Sequence, residues 1–176
     1  MHAGTFQVES DKLCYGGILS TKPSSYTCFK GTWHYEIKDF IHPDYSNRTR
    51  DITVWHDERV GGSTEPNSEE LPFLKDLNSV MGIGFIGDPI CIKESPKEYP
   101  NKIYYHQQLP HGVVFSTGFG NYTYCVLGHI VERKLDWLRI TFIEKETVET
   151  MNRLCADVSP GEKRDSRMGR SDCCVQ

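Results

Sequence analysis

From Gly31 the chain alternates: Trp33, Tyr35 and Ile37 are apolar, and Thr32, His34 and Glu36 between them are polar. Strand side chains point to opposite faces at period two, so the first set predicts a core face and the second a solvent face. The segment 51–56 alternates in the same way, and short β-rich runs follow at 80–86, 89–92, 102–106 and 112–115. Turn signals separate them at Gly61-Gly62, Pro66-Asn67, Gly87-Asp88, Pro100-Asn101 and Pro110-His111-Gly112. Segment 121–131 sets Tyr122, Tyr124, Val126, Gly128 and Ile130 against Thr123, Cys125, Leu127, His129 and Val131, which predicts a strand buried on both faces. A turn at 132–134 leads into the apolar run 135–142, a predicted hairpin.

Beyond that hairpin the period changes. Val148, Met151 and Cys155 recur at helical spacing, with Glu144, Glu146 and Glu149 early and Arg153 late, as the helix dipole favours, and Pro160-Gly161 marks a stop. About eight short strands at this spacing imply an antiparallel barrel or a sandwich, and a barrel of about eight strands encloses one small ligand. Gly82 and Gly84 would allow the sharp coil of a barrel strand or leave room for a ligand. The Gly- and Pro-containing segment 58–75 reads as a long loop over an open mouth.

The glycine before Trp33, the segment 27–37 that carries both, the Tyr122–Tyr124–Val126–Gly128 strand roughly ninety residues on, the last strand and the single helix together resemble the lipocalin family over about residues 26–160. The resemblance implies an all-β fold, an eight-stranded antiparallel up-and-down barrel with one C-terminal α-helix, and an apolar small molecule bound inside. It also implies an arginine after the last strand packed over the tryptophan, a place that here holds Phe142 or Lys145, with Arg139 the nearest arginine. The expected division is an N-terminal extension over 1–25, the barrel and helix over 26–160, and a polar tail over 161–176.

A chain of 176 residues with 38% hydrophobic and 11% aromatic content suits one domain with a sizeable core. The net charge of −4 gives no broad basic field for nucleic acid. No apolar run is long enough to span a membrane, and the N-terminus lacks the apolar stretch of a signal peptide. Seven cysteines and the acceptors Asn47-Arg48-Thr49 and Asn121-Tyr122-Thr123 favour a secreted glycoprotein whose signal has been removed, the alternative being a cytoplasmic protein with free thiols. For a secreted chain, disulfides from Cys14 to Cys125 and from Cys91 to Cys155 are expected; lipocalins motivate the second, because they tie a barrel strand to the segment after the helix. The competing feature is the end Cys173-Cys174-Val175-Gln176, an imperfect prenylation box behind Lys163, Arg164, Arg167 and Arg170, which would hold a cytoplasmic protein at a membrane.

Candidate chemistry is sparse. The segment 40–52 is locally like the stretch before the triad aspartate of trypsin-like proteases, but neither the histidine elbow nor the serine loop accompanies it, so no triad assembles. The histidines lack zinc spacing and no Cys-x-x-Cys occurs, so no metal and no cofactor are assigned. His34 and His56 are the candidates for a haem ligand, weighed against ordinary hydrogen-bonded roles. The reading is small-molecule binding in a barrel cavity, with Tyr35, Trp55, Phe85, Tyr105 and Phe115 as aromatic lining and His56 and Arg139 as polar lining. Two rivals stand beside it: a β-sandwich protein-interaction module, and a small barrel enzyme such as an isomerase using Glu36 or Asp57.

Overall fold

The alternating run at Gly31 extends to twelve residues as β4 (Gly31–His42). The computed structural model describes residues 1–42, 45–66, 72–79, 82–95, 105–117, 122–143, 147 and 149, with the side chains of 41, 42, 45 and 46 outside that description. β4 pairs antiparallel with β1 (His2–Val8) on one side and β5 (Tyr45–His56) on the other. β12 (Lys134–Thr141) lies against β5, and β11 (Val126–Val131) against β12, so the order of this first sheet is β1-β4-β5-β12-β11. Its register puts Phe6, Trp33 and His56 in one row, Tyr35 and Val54 in the next, and Ile37 and Ile52 in a third, all on one buried face. The turn between β11 and β12 is made by Glu132 and Arg133, both left-handed at φ 50° and 65°, which matches the twist of a tight hairpin.

A second sheet has the order β3-β2-β7-β9-β8, built from β2 (Lys12–Gly17), β3 (Ser24–Thr27), β7 (Ile83–Gly87), β8 (His106–Leu109) and β9 (Gly112–Ser116). Every residue of β7 and β9 is buried, because both faces of this sheet are covered. Tyr15, Ile86 and Val113 share one face. On the other, Cys14, Phe85 and Val114 join Ile83, Cys91 and Leu109 in a separate small core. A two-stranded piece, β6 (Leu77–Asn78) with β10 (Thr123–Tyr124), completes the strands. No helix of the described residues is long and apolar enough to cross a membrane.

The all-β class holds, but the strands form three sheets, and no closed eight-stranded barrel is found among the described residues. The reason lies in strand order. β1 pairs with β4 while β2 pairs with β3 and β7, so the chain leaves one sheet for the other between Val8 and Lys12 instead of running up and down around a barrel. The crossing is fixed by the Asp88 carboxylate, which accepts the amide N–H groups of Glu9 at 3.0 Å and Ser10 at 2.7 Å. Burial pushes the Asp88 carboxyl up, but the Ser10, Ile90 and Glu9 amides outweigh it and hold it below the usual carboxylate range. Within residues 1–25, set apart from the sequence as an extension, 2–8 and 12–17 are thus strands of the two sheets.

Contacts short of full pairing close the two seams. At one, the Gln7 amide donates to the Pro110 carbonyl at 2.9 Å and Gln108 Nε2 donates to the Thr5 carbonyl at 2.7 Å, joining the edge of β1 to β8. At the other, the Leu74 amide donates to the Val126 carbonyl at 2.9 Å, the Tyr15 hydroxyl to the Lys75 carbonyl at 2.5 Å, and the Lys75 amide to the Tyr26 hydroxyl at 2.8 Å. These cover strand edges that would otherwise offer unpaired amides to another chain.

Two local expectations change. Segment 89–92 reads as a strand, yet it leads into the single helical turn α1 (Cys91–Glu94), because Asp88 Oδ1 accepts the Ile90 amide and the Asp88 carbonyl accepts the Cys91 amide. Gly84 leaves no space for a ligand: a Cβ there would stand 2.9 Å from the Phe115 ring. Thr147 and Glu149 are helical, and the rest of the expected C-terminal helix and the tail lie outside the described residues.

Candidate functional site

The row that begins with Phe6 and Trp33 ends at His56, at the margin of the first sheet, and there the chain opens a cleft of about 210 Å³. Phe29, Val60 and Val131 form its apolar walls, and His56, Arg59 and Asp136 its polar floor, with Glu58 beside them. Gly31 makes this corner possible. Its φ of 117° is left-handed, and a Cβ there would come within 3.4 Å of His56 Nε2. The turn it permits brings the Lys30 carbonyl to His56 Nε2 at 2.9 Å, while the Glu58 amide donates to His56 Nδ1 at 3.4 Å. Both imidazole nitrogens are engaged, so His56 presents its ring to the cleft, packed against Phe29 at 5.4 Å and edge-on to Trp33 at 5.7 Å.

Arg59 is the charged member that the loop after β5 delivers. Its side chain is 7% exposed, with Nε 3.6 Å from Asp136 Oδ2 and its guanidinium carbon 5.9 Å from the Trp137 ring centre. Burial lowers its affinity for its proton and the Asp136 carboxylate opposes that shift. Asp136 Oδ1 in turn lies 2.7 Å from His129 Nδ1. The loop turns back at Gly61 and Gly62, where φ is 93° and 53°, so that the Gly62 carbonyl accepts from Arg59 and the Ser63 carbonyl accepts the Trp137 indole N–H at 3.3 Å. Trp137 is fully buried by this cover, although its register beside Trp55 places it on the face opposite Trp33. The lining therefore offers a small apolar mouth, aromatic faces and one excess negative charge, from Glu58 and Asp136 against Arg59.

Of the seven residues expected to line a cavity, His56 alone lies in this cleft. Tyr35 is buried between the sheets, its hydroxyl 3.3 Å from Gln108 Oε1, and burial pushes its phenol up. Phe85 belongs to the small core behind the second sheet, with Tyr105 packed against it, and Phe115 packs on Phe142 at 5.6 Å. Trp55 stacks on His34 at 5.5 Å, on the face away from Trp33. Arg139 lies over Trp137 at 5.5 Å, not over Trp33, and pairs with Glu65. His34 Nε2 is 2.5 Å from Asp57 Oδ1, and Glu36 Oε1 is 3.8 Å from Lys38 Nζ, so neither proposed acid of an isomerase reaches the cleft.

The thiols of Cys14, Cys28 and Cys91 are buried and free, and Cys125 is exposed. Cys14 sits in the small core and is not brought to Cys125, while Cys155, Cys173 and Cys174 lie outside the described residues. Asn47 is exposed on β5, and Asn121 is outside the described residues. Among the described residues no group of three or more His, Cys, Asp or Glu is placed to hold a metal ion. Phe29, Glu58, Arg59, Val60, Val131 and Asp136 escaped the sequence reading; the usable signals were an aspartate inside an apolar strand, which demands a partner, and a Gly-Gly reversal two residues after an arginine. No protein-family model, no curated protein and no solved structure matches the chain.

Proposed function

We propose that the protein binds a small, mainly apolar molecule in the cleft between the loop after β5 and the β11–β12 hairpin. The supporting observation is an apolar mouth of Phe29, Val60 and Val131 above a buried Arg59–Asp136 pair. At about 210 Å³ the cleft is below the roughly 300–1,000 Å³ of pockets that enclose drug-sized ligands, so the ligand is small. The excess carboxylate favours a donor or cationic group, such as an amine or hydroxyl, on an apolar body. This keeps the ligand class that the lipocalin resemblance implies and moves its place from a barrel interior to the end of a sheet.

The test is titration with benzylamine and with cyclohexanol, followed by NMR at the Val60 and Val131 methyls and the Trp137 indole N–H. Saturable one-to-one shifts confined to these groups are expected, with Val60→Asp abolishing them. Absence of saturation with both probes would overturn the reading.

A second reading, a protein-interaction module that takes an apolar side chain of a partner in the same cleft, is favoured by the exposure of Val60 at 95% and Val131 at 39%. It predicts that Val60→Asp loses a macromolecular partner while the small probes do not saturate.

A further inference from the structure

Behind the second sheet, the register sets Cys14, Gly87 and Gly112 in one row across β2, β7 and β9. Two glycines side by side leave a slot with no Cβ, and Cys91 of α1 fills it. Its Cβ lies 3.1 Å from where a Gly87 Cβ would stand, and its Sγ rests against the Gly112 position. Directly opposed positions on antiparallel strands hold their Cβ atoms about 4.5–5.5 Å apart. By that spacing the Cys14 Cβ stands about 4.5–5.5 Å from the Gly87 place, on the side of β7 away from Gly112. Cys14 and Cys91 also belong to one buried core with Phe85, Leu109 and Val114. We propose that in an oxidising compartment Cys14 and Cys91 join as a disulfide that ties α1 to β2.

Among the described residues the competing thiols are poorly placed. Cys28 follows Thr27, the partner of Lys12, so it falls on the other face of β2 from Cys14, and its amide bonds to the Asp11 carbonyl. Cys125 is exposed and sits beside β11 of the first sheet. Burial raises the Cys14 thiol and, to about 12, the Cys91 thiol, so little thiolate exists in the closed structure at neutral pH.

Oxidised glutathione is the oxidant. One thiolate attacks a glutathione sulfur and releases the first glutathione; the second thiolate attacks the resulting mixed disulfide at the protein sulfur and releases another. Two electrons pass from the cysteine pair to the glutathione disulfide, and the two thiol protons end on two glutathione thiols.

The experiment refolds the whole chain in a mixture of oxidised and reduced glutathione, blocks free thiols by alkylation and digests without reduction with chymotrypsin, which separates Cys14 from Cys28 at Tyr15 and Tyr26. A cross-linked pair of peptides holding Cys14 and Cys91 is expected, together with a rise in thermal midpoint that reduction reverses and that Cys91→Ala lacks. Recovery of Cys14 and Cys91 both alkylated from folded, oxidised protein would overturn the proposal, as would Cys14 joined to any other cysteine. The mapping is done on the unsubstituted chain, so it decides even if Cys91→Ala fails to fold.

Discussion

The Trp33 indole N–H donates to the Phe29 carbonyl at 2.9 Å, spanning the left-handed turn at Gly31. Core and cleft are thereby one unit: the fully buried indole holds the wall of the cleft in place from behind. Trp33→Ala is expected to cost about 3–5 kcal/mol, as for other buried large aromatics. Urea unfolding measures it, and an unchanged midpoint would remove Trp33 from the core.

Arg59→Met keeps much of the bulk over Trp137 but leaves the Asp136 carboxylate buried with His129 as its remaining close partner. A loss of about 3 kcal/mol is expected, at the low end for breaking a buried pair because the Nε to Oδ2 separation is 3.6 Å. Adding Asp136→Asn should recover part of the loss, and a double-mutant cycle from the four unfolding midpoints reads the coupling.

His111 Nδ1 is 2.5 Å from Glu94 Oε1 and its Nε2 is 3.3 Å from Glu9 Oε1, so the charged imidazole bridges α1 and the turn after β1. The Glu94 hydrogen bond raises its pKa above 6.5, against a smaller pull from burial, and Glu9 adds to the rise. The folded state then holds this proton more tightly than the unfolded chain does. Its contribution to stability is complete below about pH 6.5 and is lost as pH climbs through the raised native value. NMR titration of His111 should show the rise, Glu94→Gln should abolish most of it, and a native value at or below 6.5 would contradict the bridge.

Gly84→Ala puts a methyl 2.9 Å from the Phe115 ring with the Gly16 carbonyl 3.4 Å away, so the ring must move inside a fully buried layer. Overpacking of this kind costs about 1–3 kcal/mol. A neutral result in thermal unfolding would mean that free space lies beside Gly84 after all.

Much of the first sheet was legible because it obeys one rule: Trp33, Tyr35 and Ile37 face the core, and each has its partner at the matching parity on β5. The hairpin was legible from a polar turn between two apolar runs. In the second sheet the runs at 80–86 and 112–115 were legible as strands and fall on β7 and β9, but their pairing was not, since strands buried on both faces carry no alternation, and the apolar Ile90-Cys91-Ile92 stretch does not reveal that Asp88 bends it into a helical turn. The cleft was legible only at His56. Its other walls come from a loop and a hairpin end, which strand parity does not address.

The seam between β1 and β8 joins positions 103 apart in sequence, through Gln7 with Pro110 and Gln108 with Thr5. On the ribosome, β1 can pair with β4 long before residue 110 leaves the exit tunnel, and throughout that interval its outer edge lacks its cover. Synthesis of this chain thus passes through a window in which an exposed strand edge is open to neighbouring nascent chains, and the arrival of residues 108–110 ends it at that seam.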